Sequence, residues 1–117
     1  MNAIRPDDDI DAIHSIYVDQ WNWELVMPPA SRTVDYLKFI VKRLYRVLKR
    51  TEFLVSEMFP PCKVQLPEHI TFIHAEEALQ RYPSLNPVER ERALAREYGA
   101  VFIIGIGHPM SDGTLHG

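Results

Sequence analysis

The 117-residue sequence predicts one α/β or α+β domain, spanning residues 1–117, in which helices flank a mixed or antiparallel sheet. Three observations predict this class. Apolar and polar side chains alternate over residues 15–27, apolar residues recur with the helical period over 32–58, and a continuous apolar run covers 100–106. Long alternating and buried strands beside an amphipathic helix indicate a sheet that is covered by helices.

The N-terminal segment predicts two antiparallel strands joined by a charged loop. Residues 2–5 read as the end of a strand, and the proline and aspartates of 6–9 favour a turn. The strand over 15–27 would carry large aromatic side chains on one face, which we interpret as core. Its other face is polar at mid-strand, and we interpret it as either solvent-exposed or the floor of a site; it carries Gln20, Asn22 and Glu24.

A long amphipathic helix is predicted over 32–58, with Ser31 as its N-cap. Basic residues cover much of the rest of its surface. This basic stripe either contacts phosphates or is a solvated helix face, and the solvated face is the commoner case. The stripe consists of Lys38, Lys42, Arg43, Arg46, Lys49 and Arg50.

The C-terminal half predicts a strand, two helices and a second strand. The first strand is His69 to His74, and the first helix is Ala75 to Arg81. The second helix begins after an Asn86 N-cap, with proline in its first turn and glutamate three residues on, and ends at Tyr98 before Gly99. The run from Ala100 to Ile106 is typical of a strand buried on both faces, so we expect a crossover unit that feeds a sheet.

Composition limits the function classes. The net charge of −3 excludes a globally polycationic protein of the kind that binds a nucleic-acid backbone or an anionic membrane. Apolar runs are too short to span a bilayer. Cys62 has no partner in the chain for a disulfide, so we expect a reduced, cytoplasmic protein.

Motifs for chemistry are sparse. The sequence has no phosphate-binding glycine loop and no metal-binding spacing, and the predicted strand would point His69 and His74 to opposite faces. Gly105 and Gly107 follow a strand and favour either a phosphate turn or an ordinary loop, with the loop the commoner case. Arg5, which leads into the charged loop beside amides and carboxylates, suits an anionic ligand with a polar tail.

Several strings resemble the ammonia-dependent asparagine synthetase A (aspartate–ammonia ligase) family. The first is Arg5-Pro6-Asp7-Asp8-Asp9, and the most specific is Tyr17-Val18-Asp19-Gln20-Trp21, continued as Asn22-Trp23-Glu24. The likeness continues over 69–82, 99–102 and 105–113, and it therefore spans the whole chain.

The resemblance implies a class II aminoacyl-tRNA synthetase-like core, with an antiparallel sheet flanked by helices and a homodimeric assembly. It implies that the aspartate side-chain carboxylate attacks the α-phosphorus of ATP, that β-aspartyl adenylate and pyrophosphate form, and that ammonia then displaces AMP to give asparagine. Mg²⁺ is required. The implied partners are ATP, L-aspartate and ammonia.

The resemblance also assigns roles to single residues. Arg5 occupies the position of the arginine that bridges the α-phosphate and the attacking carboxylate, and Asp7 and Asp8 lie at the adenine-proximal acidic position. Gln20 and Asn22 match strand positions that hold the amino acid. Ser111-Asp112-Gly113 and His116 match the start of the next active-site strand.

Two departures from the family bear on activity. Asn22 stands where the family carries aspartate, which would weaken the hold on the substrate ammonium, and Gly117 also stands at an aspartate position. Family members are much longer, so the resemblance implies a truncated segment of the catalytic core, with the magnesium ligands outside this chain. A fragment that leaves strand edges and apolar faces exposed would be marginally stable or would self-associate.

Three functional hypotheses follow. The chain is an aspartate–ammonia ligase, acting as a homo-oligomer or with a complementing chain. Alternatively, it is a non-catalytic remnant or interaction fragment of that family, which either pairs with a missing half or binds nucleotide weakly without turnover. The third and least favoured hypothesis is a degenerate relative of aspartyl- or asparaginyl-tRNA synthetase. Nucleic-acid and membrane partners are not expected.

Overall fold

The computed structural model describes residues 2–12, 14–20 and 24–116. The chain divides into two compact units, Met1–Arg32 and Thr33–Gly117. In the described residues the secondary structure is mixed α/β, with three α-helices and two separate two-stranded sheets. The predicted class is therefore confirmed at the level of mixed α/β structure, whereas the single mixed sheet is wrong for the described residues.

The first unit is built on an antiparallel strand pair, as predicted. Strand β1 (Asn2–Ile4) pairs with β2 (Tyr17–Asp19), with Ala3 opposite Val18. The Arg5 amide extends the pairing by donating to the Ile16 carbonyl at 2.7 Å. The two strands therefore bring the charged loop of 5–16 to one end of the pair.

The prediction of a strand over 15–27 is wrong in its length. Strand β2 covers three residues, and 24–28 has no regular structure. A strand needs a partner for its backbone groups, and β1 offers only three residues for pairing. The predicted core face is also exposed where it is described, because Tyr17, Leu25 and Met27 retain 53, 44 and 39% of their surface.

Helix α1 (Val34–Met58) begins two residues later than predicted. Its N-cap is Thr33, whose hydroxyl accepts from the Tyr36 amide at 3.2 Å, and not Ser31. Ser31 ends a short 3-10 helix, Pro29–Ser31, and its amide already donates to the Pro28 carbonyl. The prolines thus impose a separate turn before the helix begins.

Polar contacts join helix α1 to the chain that follows it, among them a hydrogen bond from Lys49 Nζ to the Glu68 carbonyl at 3.3 Å. The Tyr45 hydroxyl donates to the Pro67 carbonyl at 2.6 Å. The Glu52 carboxylate accepts from the amides of Gln65 and Leu66 at 2.8 and 3.1 Å. These contacts hold the proline-containing connection against the helix.

The strand–helix–helix–strand crossover is confirmed. Strands β3 (Thr71–His74) and β4 (Val101–Ile104) are parallel, with Ile73 opposite Ile103. Helices α2 (Ala75–Arg81) and α3 (Pro87–Tyr98) connect them.

The predicted capping signals of α3 are also confirmed. Asn86 and Glu89 form a reciprocal capping box, and each of its two hydrogen bonds is 3.0 Å long. Gly99 follows the helix at a φ of 75°, where a side chain would be strained.

Both strands of the crossover are shorter than predicted, since β3 begins at Thr71 and β4 covers 101–104 rather than 100–106. Strand β4 is half-buried and not buried on both faces, because in the described residues it has one neighbouring strand. The core of this unit is small, and Ile103 packs against both of its clusters. The buried members of these two clusters are Ile73, Ala75, Ala78, Leu79, Leu94 and Met110.

No helix in the described ranges is both long enough and apolar enough to cross a bilayer.

Candidate functional site

Arg5, to which the resemblance assigns a role in adenylation, lies at the start of the charged loop in the first unit. Arg5 follows β1 directly, and its guanidinium lies 3.6 Å from the Asp8 carboxylate. The two side chains are 47 and 42% exposed, so this is a solvated ion pair and contributes little stability. An exposed arginine held by a weak pair can exchange that carboxylate for another anion.

The neighbouring candidates are only partly described. Asp7 is exposed in the same turn, and Gln20 is half-buried immediately after β2. Asn22 lies outside the described residues. The strand pair therefore places Arg5, Asp7, Asp8 and Gln20 in one unit, whereas Ser111 and Asp112 belong to the other.

The second unit gathers polar side chains where β3 and β4 end. Glu76, in the first turn of α2, accepts from the Ser111 amide at 3.0 Å and also from the Ser111 hydroxyl. These hydrogen bonds hold the pKa of the Glu76 carboxyl below its usual range. A single carboxylate thus ties the loop that follows β4 to the helix that follows β3.

Asp112 is engaged in a local turn. Its carboxylate accepts from the Thr114 hydroxyl at 2.7 Å and from the Thr114 amide at 2.9 Å. These bonds lower the pKa of Asp112, and the positive charge of Arg90 adds to the effect. Asp112 is exposed and charged at neutral pH, while Ser111 uses its hydroxyl to bind Glu76.

The glycine that follows β4 lies against a histidine ring. A Cβ on Gly105 would lie 2.8 Å from Cε1 and Nε2 of His74, and the backbone there has a φ of +89°. His74 in turn caps α2, because its Nδ1 accepts from the Glu76 amide at 3.3 Å. This close approach is a packing reason for Gly105 and favours the interpretation as an ordinary loop over a phosphate turn.

Two buried polar side chains lie behind this loop. Arg90 is 4% exposed and donates from Nε to the Tyr82 carbonyl at 3.1 Å. His116 is fully buried, with Nε2 3.2 Å from the Glu91 carboxylate. The His116 carbonyl also accepts from the Gly107 amide at 2.9 Å. Helix α3 therefore fixes the far end of the 105–116 loop.

Sequence reasoning missed Glu76, His74 and Arg90. His74 is the last residue of β3, and Glu76 lies two residues further on. Side chains at the carboxyl ends of parallel strands meet at one edge of the sheet. That position was a usable signal for Glu76 and His74. Arg90 offered no such signal, because its burial depends on how α3 packs.

The described ranges contain no group of three or more histidine, cysteine, aspartate or glutamate side chains that could hold a metal ion. The described residues therefore do not fit a magnesium site.

Comparison with known proteins matches the whole chain to one family. The aspartate–ammonia ligase family model, AsnA, covers residues 1–117. The chain is 55% identical over 116 residues to an aspartate–ammonia ligase of Parabacteroides distasonis, covering 99% of this chain and 34% of the relative. The ligases of Bacteroides thetaiotaomicron and Bacteroides fragilis are 53 and 52% identical over the same coverage. The chain thus spans about a third of the length of these relatives, and it belongs to the aspartate–ammonia ligase (AsnA) family.

Proposed function

We propose that this chain supplies part of the catalytic core of an aspartate–ammonia ligase with a class II aminoacyl-tRNA synthetase-like architecture. The observation that carries the proposal is Arg5, which directly follows β1 in an exposed loop and is held by one weak ion pair. Membership of the family over the full length of the chain supports the same reaction.

In the proposed reaction, a β-carboxylate oxygen of L-aspartate attacks the α-phosphorus of ATP, and the bond to pyrophosphate breaks. Arg5 donates hydrogen bonds to the α-phosphate and to the incoming carboxylate, and it offsets the negative charge that develops between them. Asp8 would release the guanidinium when these anions arrive. Asp7 and Asp8 contact the adenine side of the nucleotide.

In the second step, the ammonia nitrogen attacks the β-carbonyl carbon of the aspartyl adenylate. The bond to the AMP oxygen breaks, and a proton leaves the nitrogen to give asparagine. We assign Gln20 and Asn22 to binding of the amino acid, and the family resemblance gives a substrate-binding role to Ser111 and Asp112 on the 105–116 loop of the second unit. The Glu76 carboxylate positions that loop through the two Ser111 hydrogen bonds.

The test is release of AMP and pyrophosphate from ATP, Mg²⁺, L-aspartate and ammonium by the purified chain. Arg5→Ala should abolish this release, while Arg32→Ala, an exposed arginine in the same unit, should leave it unchanged. AMP formation that survives Arg5→Ala would contradict the assigned role.

A second candidate is a non-catalytic or complementing fragment of the family, which is favoured by the coverage of 34% of the relative. The same assay separates the two when it is repeated with a polypeptide carrying the remaining parts of the Parabacteroides distasonis ligase. Activity that requires the added polypeptide identifies a complementing fragment. Absence of product in both assays identifies a non-catalytic remnant, and a separate thermal-shift measurement with ATP shows whether that remnant binds nucleotide.

A further inference from the structure

A cavity in the second unit lies between α1 and the chain that leads into β3. Its volume is about 620 Å³, which falls in the range of small-molecule sites. None of the residues proposed above for the ligase reaction lines it. The lining consists of Lys42, Tyr45, Arg46, Glu68, His69, Ile70 and Phe72.

One wall of the cavity is basic. Lys42 and Arg46 are four residues apart on α1, so their side chains share a helix face. Lys38 lies one turn earlier on that face, with Nζ 5.7 Å from the centroid of the Phe72 ring. In the part of the chain that the structure describes, none of these three cations forms an ion pair with a carboxylate. Three neighbouring unpaired cations repel one another, and a bound anion would relieve that repulsion.

The negative charge in the lining belongs to Glu68. Its carboxylate lies 3.8 Å from Nε2 of His69, and the two side chains are 84 and 87% exposed. Both therefore extend into solvent at the rim, and the Glu68 charge is screened there by water and by salt. Lys42 and Arg46 are exposed as well, and these two cations outnumber the one carboxylate of the lining.

The rest of the lining is largely apolar and held in place by packing and a hydrogen bond. The Phe72 ring packs at 5.8 Å from the Phe102 ring, and Ile70 is half-buried beside it. Tyr45 is 5% exposed and donates its hydroxyl to the Pro67 carbonyl. Burial raises the pKa of the Tyr45 phenol, and the Glu52 charge adds to this, so the hydroxyl stays neutral at physiological pH.

We propose that this cavity binds a small organic anion with at least two negative charges and a flat apolar body, such as an aryl phosphate. The anionic end would contact Lys42 and Arg46, with Lys38 adding charge at the edge, and the apolar body would lie against Phe72 and Ile70. Charge-assisted hydrogen bonds from Lys and Arg are the strong contacts of such a site.

The experiment is a titration of the chain with phenyl phosphate, followed by the NMR methyl signal of Ile70. Lys42→Gln/Arg46→Gln is compared with Arg43→Gln/Arg50→Gln, which removes the same charge from α1 outside the lining. We expect a saturable shift that weakens at least about tenfold in the first variant and less than about twofold in the second. Equal weakening in both variants, or a shift that does not saturate, would overturn the proposal.

Two further arms test the apolar wall and guard against misfolding. Phe72→Leu should weaken phenyl phosphate and leave inorganic phosphate unchanged, because the latter has no apolar body. Inorganic phosphate that binds as tightly as phenyl phosphate would overturn the assignment of an organic ligand.

The helix content of each variant is checked by circular dichroism. The single variants Lys42→Gln and Arg46→Gln should each lose less affinity for phenyl phosphate than the double variant. A single variant without effect would overturn the role of that residue.

Discussion

At the scale of single residues, Gly105 shows how one missing side chain lets two segments meet. Its backbone φ of +89° and the His74 ring at 2.8 Å from the position of a Cβ impose two separate constraints. Gly107 has a similar φ of +82° but has nothing within 4 Å of that position. A comparison of substitutions at the two glycines therefore separates the cost of backbone strain from the cost of a steric clash.

We expect Gly105→Ala to destabilise the chain by about 1–3 kcal/mol more than Gly107→Ala, because only the first adds a clash to the backbone strain. Urea unfolding of both variants, followed by circular dichroism, measures the difference. Equal losses would show that His74 moves aside without cost.

Glu76 makes the 105–116 loop sensitive to acid. Its pKa is lowered in the folded chain by the hydrogen bonds from Ser111. Its charge therefore stabilises the folded loop at pH values above the usual glutamate pKa, and that stability is lost as the pH falls through the lowered value.

We expect the Ser111 amide NMR signal to shift as the pH falls below the usual glutamate range, and we expect Glu76→Gln to remove this transition. Glu77→Gln is the matched control, because Glu77 pairs with Arg81 at 2.7 Å and not with the loop. A transition that survives Glu76→Gln would assign it to another group.

At the scale of elements, local signals predicted helices better than strands. Asn86, Glu89 and Gly99 fix both ends of α3 by contacts within a few residues, and the bounds of α2 were predicted without error. The extent of β2 was not predictable from its own alternation, because it depends on a three-residue partner that is remote in sequence. For α1, two competing hydroxyl caps, Ser31 and Thr33, lay two residues apart, and the prolines decided between them.

The capping box of α3 should be measurable as stability. Asn86→Ala removes the acceptor for the Glu89 amide, and we expect a loss of about 1 kcal/mol in the free energy of unfolding. Ser84→Ala, an exposed change in the preceding turn, should have almost no effect. Chemical denaturation of the two variants tests this, and equal midpoints would contradict it.

At the scale of the whole molecule, the family was predictable from the sequence but the site only in part. The strings around Arg5 and Gln20 carry the resemblance, and the AsnA family model matches residues 1–117. The contact of Glu76 with Ser111 joins residues that are 35 apart in the sequence, and the burial of Arg90 depends on how α3 packs. Such contacts leave no local pattern, so the fold has to place them.

The chain carries an apolar stripe on α1 that the described residues leave largely uncovered. Leu37, Leu44, Leu48 and Val55 share one face of the helix, and they are 37, 37, 58 and 37% exposed. A stripe of this kind is a site for association, because covering it removes apolar surface from water. We therefore expect the purified chain to self-associate as its concentration rises.

Sedimentation velocity over a range of concentrations tests this, with Leu48→Gln as the perturbing variant. It places a polar amide in the centre of the stripe, so the association should weaken. Arg50→Gln, an exposed change on another face of α1, should leave the association unchanged. A chain that sediments as a monomer at all concentrations, and unfolds in one sharp two-state transition, would show that the small core of the second unit suffices without any partner for α1.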